Sequence, residues 1–169
     1  MSNHLAIATV TAVLQKIVET AARSEVPGAE VRIGRPDTAV ANQGARITLY
    51  LYQVAPNAAL RNNDLPVYDS TGKLTSRPQA ALELYYLLSF YGEDSDLASE
   101  RMMGAVIRDL HARPLLSREI IERRITNDFI LGASDLHQEV ELVRLTPLFL
   151  SLDEASKLWS VFFQTPHAR

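Results

Sequence analysis

Four histidines, His4, His111, His137 and His167, are the first residues whose chemistry could matter. A zinc site draws its ligands from closely spaced His and Cys. These four are scattered, no His-x-x-x-His pair occurs, and the chain contains no cysteine. Disulfides and thiolate chemistry are therefore excluded. His137 lies beside Asp135 and Glu139 and could form a polar site, although neighbouring exposed polar residues at such spacing usually face water. His111 falls at the end of a predicted helix, where a cation is favoured by the helix dipole. Asp94 and Asp96 in "GEDSD" invite a calcium reading, yet the Gly and terminal Glu of a calcium loop are missing. Glu139 and Glu141 share a strand face without the contrast of environments that separates a general acid from a general base. "TGK" (Thr71 to Lys73) lacks the upstream glycine of a phosphate loop, and no G-x-S-x-G or G-x-G-x-x-G occurs. Metal and cofactor sites are expected to be absent. A cleft near residues 46–64, using Tyr50, Tyr52, Arg61 and Asp64, is the alternative that would make the chain a small-ligand-binding enzyme.

The elements that would position these residues follow from periodicity. Val10, Leu14, Ile17, Val18 and Ala21 recur at helical spacing and form one stripe. "VPG" (Val26 to Gly28) ends that helix. "AEVRIGRP" alternates Val31 and Ile33 with charged residues, as a half-buried strand does. Ala45 to Val54 is the next strand, with Ile47, Leu49 and Leu51 on one face and Arg46, Thr48, Tyr50 and Tyr52 on the other. Leu82 to Tyr91 is apolar on both faces and predicts a central strand covered on both sides. "GEDSD" opens a helix whose stripe is Met103, Val106, Ile107 and Leu110. "SREIIERRI" is a short helix with a solvated basic face. Phe129, Ile130 and Leu131 are expected to tuck inward from a loop. Gln138 to Leu150 is a strand candidate, limited by Pro147 to an edge or bend. "SLDE" (Ser151 to Glu154) is a capping box, with Leu150 as the staple residue. It opens a last helix bearing Leu158, Trp159, Phe162 and Phe163, with Trp159 read as core.

Between the two aromatic strands, about two dozen residues, Pro56 to Gln79, form a long excursion; loops beyond about 12–15 residues are uncommon in compact domains. Val67 to Leu74 predicts a small hairpin turning at Asp69 to Gly72. The remainder mixes apolar anchors with amides and charges. Asn57, Leu60, Arg61, Asn62, Asn63, Asp64, Leu65 and Arg77 are the candidate contacts of an arm that docks on another protein.

With 169 residues, 47% hydrophobic and 22% charged, the chain suits one soluble domain spanning 1–169. The net charge of -3 gives no basic surplus of the kind nucleic-acid binders show. No apolar run reaches the length needed to insert in a membrane, and the N-terminus reads as a helix rather than a signal peptide. The expected fold is α+β, a single domain with a mixed, mostly antiparallel sheet flanked by helices.

Several long strings together carry a resemblance: "MSNHLAIATVTAVL", "LYLYQVAPNAALRNNDLP", "RPQAALELYYLLSFYG", "VIRDLHARPLL" and "ELVRLTPLFLSLDEASKLWSVFFQTP". The chain resembles the cap, or tail-terminator, family of phage-tail-like contractile injection systems from Met1 to Pro166. The resemblance implies a structural protein rather than an enzyme. It implies a homohexameric ring at the end distal to the baseplate, seated on the last layer of inner tube and sheath proteins. The ring would stop their growth and hold sheath to tube. It implies assembly in the bacterial cytoplasm within a particle that is either retained or released. One departure stands out: the family continues into a further apolar strand after "FFQTP", whereas this sequence ends at Arg169.

Overall fold

A computed structural model describes residues 3–36, 44–60, 67–76, 80–139 and 142–164. Its elements in chain order are α1 (Ala6–Glu25), β1 (Glu30–Ile33), β2 (Arg46–Pro56), β3 (Val67–Tyr68), β4 (Leu74–Ser76), β5 (Leu82–Tyr91), α2 (Ala98–Ala112), α3 (Arg118–Thr126) and α4 (Leu152–Gln164). The main sheet has the order β1-β2-β5; β1 is parallel to β2, and β2 is antiparallel to β5. The fold is α+β with a mixed sheet, as expected.

The pleat of β2 decides what the sheet buries. Ile47 and Leu49 point inward opposite Phe90 and Leu88 of β5, and both are fully buried. Leu14, Val18, Ala21 and Ala22 of α1 and Met102 and Val106 of α2 close over them in one cluster. A second cluster lies on the other flank of α1, where Val10 and Val13 meet Ile121 and Ile125 of α3, with Leu116 and Leu136. So α1 is buried over a wider arc than its predicted stripe, because two layers share it. Hydroxyl pairs seal it: Thr9 Oγ1 donates to Ser134 Oγ at 2.7 Å, and the Thr11 and Tyr86 hydroxyls lie 2.7 Å apart. Burial pushes the Tyr86 phenol up, and the Thr11 contact only partly opposes it.

Several expectations need correcting. β5 is an edge strand and β2 the central one; both faces of β5 are half-buried rather than covered. Pairing, which is non-local, decides this, and a strand's own composition does not contain it. Val31 is buried but Ile33 is 55% exposed, since β1 ends where its cover ends. The inward stripe of α2 is Ala98, Met102, Ala105 and Val106, while Met103 and Ile107 face out. Alanines at 98 and 105 let α2 approach α1 closely, which a search for large apolar residues misses. The described part of 138–150 is not a strand. A 3-10 turn at Leu136–Gln138 leads into it, and residues 142–150 form no regular element apart from one bridged residue. Its one bridge pairs Leu115 with Arg144, flanked by bonds from the Leu116 amide to the Val143 carbonyl and from the Leu145 amide to the Pro114 carbonyl.

Local signals behave as their chemistry dictates. Ser151 and Glu154 form the capping box reciprocally: Glu154 Oε2 accepts from the Ser151 amide at 2.9 Å, and Ser151 Oγ accepts from the Glu154 amide at 3.3 Å. Gly104 lies exposed in mid-α2 with an ordinary φ and open space where a Cβ would go. Gly104→Ala is therefore expected to stabilise the chain by about 0.5–1 kcal/mol. The check is a higher urea midpoint at unchanged m-value.

Candidate assembly surfaces

The arm begins where β2 ends. The Asn57 amide donates to the Ala81 carbonyl at 2.8 Å, tying the end of β2 to the start of β5. The Asn57 side chain caps the next turn, its Oδ1 accepting from the Ala59 amide at 2.9 Å, and the Leu60 amide donates to the Asn57 carbonyl at 3.3 Å. Asn57 is thus tied down at the start of the 56–79 segment, with half-buried Leu60 one turn on. Arg61, Asn62, Asn63, Asp64, Leu65 and Arg77 lie outside the described residues.

Beyond them the predicted hairpin is present as β3 and β4. Asp69 makes its turn. Its Oδ1 accepts from Thr71 Oγ1 at 2.6 Å and from the Thr71 and Lys73 amides at 2.9 Å each. Gly72, at φ 79, supplies the left-handed position that closes it. Bonding to Thr71 first, then to the Lys73 and Thr71 amides, holds the Asp69 carboxyl below its usual range. A depressed folded-state value means that this contribution is complete above about pH 4, the ordinary Asp value, and is lost as pH falls below it. The Thr71 and Lys73 amides should therefore lose protection, relative to the intrinsic exchange rate at each pH, on acidification below pH 4, and Asp69→Ala should remove that protection at every pH, as read by NMR.

Among the described residues, the sites proposed for chemistry do not converge; Arg61 and Asp64 of the predicted cleft fall outside them. Tyr52 sits at a bulge in β2, its ring centroid 6.1 Å from that of Tyr85, and the Tyr85 hydroxyl donates to Glu83 at 2.6 Å. Burial raises the Tyr52 phenol and the Glu83 carboxylate raises that of Tyr85, so both stay protonated at neutral pH. Arg46 lies over the Tyr91 ring, 4.8 Å from its centroid, across the same strand pair. Asp135 spends its carboxylate on the Asn3 amide at 2.7 Å rather than on His137. Among the described residues no group of three or more metal-ligating side chains occurs; His167 and Glu141 fall outside them. No helix among them is long and apolar enough to cross a membrane.

The structure reveals instead a large exposed apolar surface. Phe129 and Ile130, expected inside, stand out from a 3-10 turn, and only Leu131 points inward. The run into α4 is exposed throughout: Leu148, Phe149, Leu150 and Leu152, with Phe149 at 89% and Leu152 at 90%. Trp159, read as core, is 41% exposed and borders a crevice of about 400 Å³ against β5 and α2. The Phe162 and Phe163 side chains lie outside what is described. The signal was present in "LTPLFLSL", but an apolar run reads equally well as core or as interface.

No curated protein matches the chain. Among solved structures it is similar to the sheath/tube terminator of an extracellular contractile injection system, PVC, in the extended state. The TM-score is 0.56 at 16% identity, over 91% of this chain and 50% of that one. The chain thus spans about half the length of the structure it matches, and at this identity the likeness is one of fold. The family described as the Pvc16 N-terminal domain matches residues 9–168. That match covers nearly all of the sequence, and the chain belongs to the Pvc16 N-terminal domain family.

Proposed function

We propose that this chain is a structural terminator of a contractile injection system. It forms a ring, a homohexamer, on the last layer of inner tube and sheath, ends their growth and joins one to the other. Assembly takes place in the bacterial cytoplasm, and the finished ring travels with the particle. The chain acts by shape and catalyses nothing.

The observation that carries this reading is the exposed apolar run from Leu148 to Leu152. A contiguous apolar surface of this kind marks an interface with another protein. The fold likeness to a sheath/tube terminator supports an assembly of that kind as the partner that would cover it. The arm residues Leu60, Arg61, Asn62, Asn63, Asp64 and Leu65, with Asn57 at its base and Arg77 at its return, are the second proposed contact. A forked guanidinium between apolar anchors suits a neighbouring subunit.

Deleting the gene tests the function: tubes and sheaths of uncontrolled length are expected in electron micrographs. Phe149→Asp with Leu152→Asp should fail to restore length control. Because both side chains are exposed, it should leave subunit stability within about 0.5 kcal/mol. Particles of normal length and intact joints without the gene would overturn the reading.

A further inference from the structure

Two surface features at opposite ends of α2 match each other. At its N-terminal end the chain leaves β5 through Gly92 and forms a 3-10 turn over Asp94–Asp96. Asp96 is engaged within the subunit, its Oδ1 accepting from the Ala98 amide at 3.1 Å and its Oδ2 lying 4.0 Å from the Arg101 guanidinium. Glu93 and Asp94 point out, and neither carboxylate has an ion-pair or hydrogen-bond partner among the described residues. Leu97 follows at φ 55 and ψ 37, the one described non-glycine residue with positive φ, and it is 58% exposed. A leucine in this conformation is strained, and exposure returns nothing to it within the subunit. The backbone holds it there: the Leu97 amide donates to the Asp94 carbonyl at 3.4 Å, and the Arg101 amide to the Leu97 carbonyl at 2.9 Å. The result is a rigid knuckle, a leucine beside two free carboxylates.

At the other end of α2, a groove of about 320 Å³ opens between α1, α3 and the last turn of α2. Val13, Ile17 and Ile120 line its floor. Four cations line it as well. Lys16 is engaged by Glu19 at 3.0 Å and Arg124 by Asp128 at 3.0 Å, while Asp109, the acid in the wall, is engaged by Arg108 at 3.1 Å. Arg113 and Arg123 are exposed, and neither guanidinium has an ion-pair or hydrogen-bond partner among the described residues. The groove therefore offers an apolar floor beside two free guanidinium groups, the complement of the knuckle.

The 15 residues of α2 separate the two features by about 22 Å, so no copy can dock its knuckle into its own groove. We propose that the Glu93–Leu97 knuckle of one copy docks into the α1/α2/α3 groove of a second copy, Leu97 on the apolar floor and Glu93 and Asp94 on Arg113 and Arg123. Where it is not made reciprocally across a two-fold axis, such a contact is heterologous and propagates around a ring. It rests on the ring-forming reading above and names one of its subunit contacts.

Charge exchange tests it with the full chain. Glu93→Lys/Asp94→Lys and Arg113→Glu/Arg123→Glu should each weaken self-association about tenfold or more in mass photometry. An equimolar mixture of the two should restore it, because each altered knuckle then meets an altered groove of opposite sign. Leu97→Gly should raise the thermal midpoint by relieving the strain while weakening assembly, a pairing that a purely structural role for Leu97 would not produce. Normal assembly of either charge variant, or no rescue on mixing, overturns the docking while leaving the terminator reading in place. A wild-type chain that is monomeric up to its solubility limit also overturns it, and the particle-length assay then decides the terminator reading separately.

Discussion

Replacing Leu49 with alanine lowers the unfolding free energy by about 2–5 kcal/mol, the range for truncating a fully buried leucine. Leu49 is 0% exposed, lies on the central strand opposite Leu88, and belongs to the cluster that α1 and α2 close over. The truncation removes transfer energy and leaves a cavity, and neighbours on three elements limit the collapse that could fill it. In a chain of this size the loss corresponds to a fall in Tm of about 5–15 °C. Ile33→Ala is the internal control. Its Cα is paired with that of Leu49, but its side chain is more than half exposed, so it should change stability by no more than about 0.5 kcal/mol. A loss at Ile33 equal to that at Leu49 would mean that the cover over β1 extends past Val31 to the last residue of the strand, since Val31 and Ile33 share a face. Paired urea titrations of the two variants separate these outcomes.

How far the sequence could be read depends on how local each signal was. The hairpin turn needs only Asp69, Thr71 and Gly72, and the capping box only Ser151 and Glu154; both form as their spacing predicts. β5 begins and ends at the predicted residues because Gly92 and the polar stretch before Leu82 bound it. Its place at the sheet edge depends on which strands find it. Leu82–Tyr91 carries apolar residues on both faces in either position. The error at Phe129 and Ile130 has the same root, since hydrophobicity states that a residue will be covered and not by which chain. In α2 the large residues Met103 and Ile107 drew the stripe one position from the true one, which runs through small Ala98 and Ala105. Of the arm, Asn57 and Leu60 can be placed at its base, and they act there through backbone and cap bonds that composition alone does not specify.

These misreadings share a direction, and that direction bears on function. Met103, Ile107, Phe129, Ile130, Phe149 and Leu152 have the composition of a core but lie on the outside of the subunit. A chain that satisfied all of its apolar residues internally would leave little for a partner chain to hold. This one keeps two ordinary clusters around α1 for its own stability and leaves further apolar side chains outward. The exposed set includes the run from Leu148 to Leu152 that leads into α4.

Gly92→Ala tests whether the rigid junction between β5 and α2 holds both the core and the knuckle in place. A Cβ on Gly92 would stand 2.7 Å from Ala98 Cβ, 2.9 Å from the Ser99 amide nitrogen and 3.3 Å from the Ala98 carbonyl carbon. Two of the three are backbone atoms of the first turn of α2, so no rotamer change relieves the overlap. The helix start must move away from the strand end, and Ala98 and Met102, both in the main cluster, move with it. Overpacking of this kind costs about 1–3 kcal/mol. Ala98→Gly removes the closest of the three atoms but leaves the Ser99 nitrogen, so the double variant should recover part of the loss. The two substitutions should then couple by at least about 0.5 kcal/mol in a double-mutant cycle. Additive losses would mean that the strand end and helix start are not in contact, and the knuckle would lose the fixed geometry its docking requires. A coupled loss with weakened self-association ties the position of Leu97 to the packing of Gly92.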